Sequence, residues 1–149
     1  MINDNLKLRG DVALVLKDKD GNIKETREIN NLVVTAGLTF ICSRMAAASA
    51  GVMSHMALGS STTAAAAGQT DLVSILGSRE ALDSTSASAN TITYVSSFEA
   101  GEGTGAVTEA GVFNAASSGT MLCRTVFAVV NKQADDTMSV TWTITLSAS

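Results

Sequence analysis

The segment from Thr137 to Leu146 alternates without a slip, with Met138, Val140, Trp142, Ile144 and Leu146 on one side and Ser139, Thr141, Thr143 and Thr145 on the other. A period of two, with β-branched residues on the polar side, is the pattern of a strand that buries one face and shows the other to water. The same rule places Leu6, Leu8, Val12, Leu14 and Leu16 on one face of a strand from Leu6 to Lys17, with Gly10 as a bulge or bend. Asp18-Lys19-Asp20-Gly21-Asn22 is rich in residues that accept a positive φ, and Ile23 to Ile29 resumes extended structure, so residues 6–29 read as a β-hairpin.

After Asn30-Asn31 the period changes. Val34, Leu38, Ile41, Met45 and Cys42 recur at spacings of three and four, which predicts one amphipathic helix near 35–48, with Thr35 as N-cap and Ala46-Ala47-Ala48 extending it to Ser49 and Gly51. Val52 to Leu58 reads as a short strand ending at Gly59. Ser60 to Thr70 has no period and reads as an exposed loop, Leu72 to Leu82 is ambiguous between helix and strand, and Asp83 to Asn90 reads as a second loop. Strands follow at Thr91 to Phe98, Ala106 to Asn114 and Thr120 to Val130, divided by the glycines 101, 103 and 105 and by Ala115 to Gly119. Seven or eight short strands without an internal repeat predict an antiparallel β-sandwich, jelly-roll-like, with one helix as a connection.

A chain of 149 residues fits one sandwich domain, 1–149, with residues 1–5 as an extended N-terminal arm. Apolar residues make up 46% but aromatics only 4%, so each buried position contributes little area and neighbouring copies are expected to help. Proline is absent, which leaves sheet edges open to pairing with other chains and favours an oligomer. The net charge of −4 excludes the usual basic footprint of a nucleic-acid binder. Lys7, Arg9, Lys17, Lys19, Lys24 and Arg27 are interleaved with Asp11, Asp18, Asp20, Glu25 and Glu28, which describes a solvated hairpin face. Met1 to Asn5 has no basic region leading into an apolar core, and no run of 18 apolar residues occurs, so synthesis in the cytosol without a membrane span is expected. Cys42 and Cys123 lie inside apolar runs and read as free core thiols, with a disulfide between them left open.

The inventory for catalysis is poor. His55 is the only histidine, no cysteine pair has metal-ligand spacing, and no G-x-S-x-G occurs; the expectation is no enzyme, no cofactor and no metal site. Gly101-Glu102-Gly103-Thr104-Gly105 is superficially similar to a dinucleotide loop, but it lacks the third glycine and Glu102 would repel a pyrophosphate. Asp18-Lys19-Asp20-Gly21-Asn22 opens like a calcium loop, yet its glycine comes too early and no closing glutamate follows, so it reads as a hairpin turn. Glu109 and Arg124 are charges in apolar strands. They read either as a cross-strand or intersubunit ion pair or as two solvent-facing side chains.

One resemblance bears on function. Phe98 to Asn114, with its Thr108-Glu109-Ala110-Gly111-Val112-Phe113 core, is followed by Met121-Leu122-Cys123-Arg124-Thr125-Val126-Phe127 and then Val140-Thr141-Trp142-Thr143-Ile144. This succession of T-E-x-G-[LV]-F, M-L-x-R-x-x-F and V-x-W-x-I strands is similar to a module of tailed-bacteriophage structural proteins. Asn31 to Gly37, Leu58 to Thr63 and Asp71-Leu72 also fit it, so the likeness covers most of the chain from residue 30 onward. The resemblance implies a virion protein, above all a capsid cement or decoration protein that binds the outside of the shell and clamps neighbouring capsomers. Its implied partners are the major capsid protein and copies of itself, without direct contact to nucleic acid or membrane. A tail or tail-fibre adaptor is the alternative within the same family of modules, and a lectin-like carbohydrate-binding module is the contrasting class.

Overall fold

The computed structural model describes residues 5–46 and 50–148; the arm residues Met1 to Asp4 and the expected helix extension through Ala47 and Ala48 lie outside them. The described chain forms β1 (Leu6–Lys17), β2 (Ile23–Asn30), β3 (Leu32–Val33), α1 (Thr35–Met45), β4 (His55–Gly59), β5 (Glu80–Ala81), β6 (Ser84–Ser88), β7 (Thr91–Phe98), β8 (Gly105–Phe113), β9 (Met121–Lys132) and β10 (Thr137–Ala148). Two antiparallel sheets result, ordered β2-β1-β10-β7-β6 and β3-β9-β8-β4-β5. The chain crosses between them after β2, β5, β7 and β9, so both sheets are built from widely separated segments.

The expected mainly β architecture with one helix is what the structure shows. β10 sits at the centre of its sheet, between β1 and β7, and its apolar side meets the opposite sheet. Met138, Val140, Trp142 and Ile144 are buried with Val12, Leu14, Leu16, Tyr94 and Phe98, and they pack on Met56, Leu58, Val112 and Phe127 of the second sheet. Burial of each such large apolar side chain contributes about 1.5–3 kcal/mol, so this strand face is the main source of cohesion. A shift of register by one residue would turn the whole face outward.

Several local expectations are corrected. The β1 ladder runs unbroken through Gly10, which pairs with Ile144, and the irregularity lies between Leu16 and Lys17 against β2. Residues 84–88 form an edge strand rather than a loop. Leu72 to Leu82 is mostly irregular and contributes only the two-residue β5. The helix begins at Thr35, but its cap residue is Val34, with no side-chain cap; the Thr35 N–H donates to the Ala67 carbonyl instead.

The helix presents only part of the expected face: Val34 is buried and Ile41 packs on the core, whereas Leu38, Met45 and Cys42, the last expected as a core thiol, are exposed. Gly37 is its buried residue, seated so closely on the Leu122 backbone carbonyl that a Cβ would overlap it. Phe40 and Ile41 reach the main core beside it, while Leu38 and Met45 are 46% and 84% exposed. Close backbone approach, rather than the large apolar stripe, therefore sets the helix orientation.

A second, smaller core covers the outer side of the β3-β9-β8-β4-β5 sheet. Val34, Ala57, Leu72, Phe113 and Met121 are buried together there, with Ala36 packed against them. Leu72 comes from the long β4–β5 connection, so that connection acts as an outer layer on the sheet.

Candidate functional site

The β4–β5 connection is irregular in sequence, yet it is fastened at two points. The first is Glu109, fully buried on β8 and ion-paired with the equally buried Arg124 of β9. Arg124 Nε donates to Glu109 Oε2 at 2.9 Å, and Nη2 lies 2.7 Å from the same oxygen. The two residues are diagonal neighbours, because Glu109 pairs with Val126 and Arg124 faces Gly111 in the regular ladder that follows the bulge between Val107 and Glu109. The carboxylate also takes backbone N–H groups from the connection, with Ser74 donating to Oε1 at 2.7 Å, Val73 to Oε2 at 3.2 Å and Ser61 to Oε1 at 3.4 Å. Arg124 Nη1 adds a 3.0 Å bond to Gln69 Oε1. A buried charge is costly unless it is paired and hydrogen-bonded; the Glu109 carboxylate is both, while Arg124 Nη2 makes the ion-pair contact without a hydrogen bond of its own. Gly59 makes room, since a Cβ there would run into Glu109 Oε1.

The second fastening is Arg79. Its Nη1 donates to the carbonyls of Ser118 at 2.7 Å and Ala115 at 3.0 Å, and Nη2 lies 3.3 Å from Asp71 Oδ1. The guanidinium lies 3.6 Å from the centre of the Phe113 ring, a cation–π contact that further fixes it. The connection is thus tied to the β8–β9 hairpin as well as to the strands beneath. What it displays is polar and small at Thr62, Thr63, Ala64 and Gly68, and apolar at Val73 and Ile75, which are 53% and 44% exposed.

A third polar group closes the opposite end of the sandwich. The Lys132 ammonium is buried and donates to the carbonyls of Asp136 at 2.7 Å and Glu99 at 2.9 Å. Burial pulls its pKa down, opposed by the nearby carboxylates of Asp136, Glu102 and Glu99. Asp136 Oδ2 accepts from Lys24 Nζ at 2.8 Å and from the Gln133 N–H at 2.8 Å, and the bond from Lys24 is the chief reason its carboxyl is held below the usual range.

Glu109 and Arg124 are brought together within one chain, as an intramolecular cross-strand ion pair. The Asp18 carboxylate accepts the Asp20 and Asn22 N–H groups at 2.9 Å each, and these bonds, led by that from Asn22, lower its pKa; the segment is a hairpin turn. Glu102 accepts the Glu99 N–H at 2.8 Å within the 99–105 turn. His55 Nδ1 is 2.8 Å from the Ser54 hydroxyl, at the start of β4. Cys42 and Cys123 are both free thiols, with Cys42 exposed and Cys123 buried. Burial raises the Cys123 pKa, opposed by the neighbouring Asn31 side chain. Among the described residues no group of three or more His, Cys, Asp or Glu is placed to hold a metal, and no helix is long and apolar enough to cross a membrane.

The β2-β1-β10-β7-β6 sheet turns a regular face outward. Register aligns Ala13, Thr141, Val95 and Ser84 in one row and Asp11, Thr143, Thr93 and Ser86 in the next. Thr93 and Thr143 hydroxyls lie 3.3 Å apart. Toward β2 the face becomes charged, with the exposed Arg9 paired to the half-buried Asp11 at 2.9 Å, as the interleaved charges of the hairpin suggested. Away from β2 the chemistry of this face is that of hydroxyls and short aliphatic groups. No family model, curated protein or solved structure matches this chain.

Proposed function

We propose that this chain is a structural protein of a tailed-bacteriophage virion, acting as a capsid cement that binds the outer shell and joins neighbouring capsomers. The observation that carries the reading is the location of the residues behind the phage-module likeness. Glu109 and Phe113 on β8, Arg124 and Phe127 on β9 and Trp142 on β10 are all buried, and the acidic and basic members of the pattern form the clasp that fastens the outer connection. The pattern is therefore the internal framework of a module, and its exposed loops are left free to vary with the partner.

The mechanism follows from the fastened connection. A loop held by Glu109, Arg124 and Arg79 loses little conformational freedom on docking, so modest contacts from Thr62 to Gly68 and from Val73 and Ile75 suffice for binding. Many such contacts, each made only with the assembled lattice, stabilise that lattice by linkage. The charged first hairpin adds a second contact surface near Leu6, which is 71% exposed.

Particles assembled without this protein test the proposal. They are expected to form and package normally, but to lose genome on heating or at low salt more readily than complete particles, with rescue by added purified protein. Unchanged heat stability combined with loss of host attachment would move the assignment to the tail or its fibres.

A further inference from the structure

We infer that two copies of this chain pair through β6, in antiparallel register centred on Ser86, to join their two outer sheets into one continuous sheet. Four strands, β2, β6, β3 and β5, end the two sheets. β2 carries Lys24, Glu25, Arg27 and Glu28 along its eight residues, and β3 and β5 are two residues each. Charge and shortness are the usual guards against strand addition. β6 has neither. Its sequence Ser-Thr-Ser-Ala-Ser is exposed throughout, is bonded to β7 on one side only, and contains no charge, no proline and no bulge.

The edge is also self-complementary. In a two-fold arrangement about Ser86, Ser84 of one copy faces Ser88 of the other, Thr85 faces Ala87 and Ser86 faces itself, so no like charges meet. The nearest acid, Asp83, is already engaged by the Ser97 hydroxyl at 2.7 Å, and its counterpart in the other copy would stand about six residues away along the strand, roughly 20 Å. That separation exceeds a Debye length at physiological salt.

A second observation points the same way. A hollow of about 270 Å³ opens on the inner side of this edge, lined mainly by the apolar Phe40, Val52, Met53, Ile92 and Tyr94, with Thr85 and Arg44 completing its wall. Val52 is 63% exposed there. Pairing of β6 with β6 places the inward-facing Thr85 and Ala87 of both copies on one side of the joined sheet, so each hollow lies against the two-fold and is covered by the other copy. Hydrogen bonds along the edge and apolar cover beneath it then act together. The inference goes beyond the virion reading and stands apart from it, since it concerns the isolated protein.

Sedimentation of the purified full chain over a range of concentrations provides the test, with S86K and T26K compared. Thr26 is an exposed residue on the opposite edge strand, so T26K adds the same charge away from the proposed contact. The expected result is a reversible dimer for wild type and T26K, weakened about tenfold or more by S86K. Directly opposed residues of an antiparallel pair stand within disulfide reach, so S86C in a C42S background should also oxidise to a covalent dimer, whereas T26C in that background should not. A monomeric wild type, a closed trimer, or a dimer equally strong with S86K would overturn the inference. None of these outcomes bears on particle binding, so the two proposals fail separately.

Discussion

Removing Glu109 should cost more than removing Arg124, although the two form one ion pair. Deleting either member of a buried pair leaves the other charge stranded, at about 3–5 kcal/mol. The structure divides that range. In Arg124→Met the carboxylate keeps the N–H groups of Ser61, Val73 and Ser74, so the cost falls near the lower end, about 3 kcal/mol. In Glu109→Leu the guanidinium keeps only Gln69, and three backbone donors lose their acceptor, so the cost approaches about 5 kcal/mol. The double variant should cost less than the sum by roughly 1–3 kcal/mol. Urea unfolding followed by the fluorescence of Trp142, the only tryptophan, measures all three. With a slope of about 2 kcal/mol per molar, Glu109→Leu moves the midpoint down by roughly 2.5 M and Arg124→Met by about 1.5 M. Hydrogen exchange supplies a local check, because the Ser74 amide should lose protection in Glu109→Leu far more than in Arg124→Met. Equal costs, or both within about 0.5 kcal/mol of wild type, would refute the reasoning.

Three further outcomes are expected. Tyr94, the only tyrosine, is buried and its hydroxyl is pushed up to about 12 by desolvation, so ultraviolet titration should show a midpoint near 12. Its raised pKa means that the associated stability is complete below the ordinary value near 10 and is lost as pH rises toward 12. Asp136 shows the opposite sign: its lowered pKa contributes stability above about pH 4 that fades as pH falls through the folded value, and Asp136→Asn should flatten this acid limb. The loss at neutral pH should be about 1 kcal/mol, a figure held down by the 37% exposure of its Lys24 partner. A thiol reagent should titrate Cys42 in the native protein and Cys123 only after unfolding, and equal fast reaction of both would contradict the buried position of Cys123.

How much the sequence discloses depends on whether burial leaves a periodic trace. β10 and the β1–β2 hairpin are legible because one face of each central strand is apolar and the other polar, and the turn at Asp18 to Asn22 carries its own chemistry. β6 is not legible. Ser-Thr-Ser-Ala-Ser lies at an exposed edge, where neither face is buried and no alternation is needed. The helix is legible by period but only partly by face, because Val34 and Ile41 pack inward as expected while Gly37 offers the closest approach and Leu38 and Met45 project outward. Glu109 and Arg124 stand out as charges in apolar strands, but whether they meet depends on the β8–β9 register, which sequence does not reveal. Their supporting partners Gln69, Val73 and Ser74 sit in a stretch that reads only as loop, since backbone donors leave no mark in the sequence. The link between Lys24 and Asp136 spans 112 positions and arises only from sheet topology.

The copy number of this protein in purified virus particles, by quantitative mass spectrometry against the major capsid protein, tests the virion reading most directly. A cement occupies every equivalent site of a shell, so on the order of hundreds of copies per particle are expected. A tail or fibre component follows the low rotational symmetry of the tail, and a count of at most a few dozen would contradict the cement assignment. Complete absence from particles would remove the virion proposal altogether.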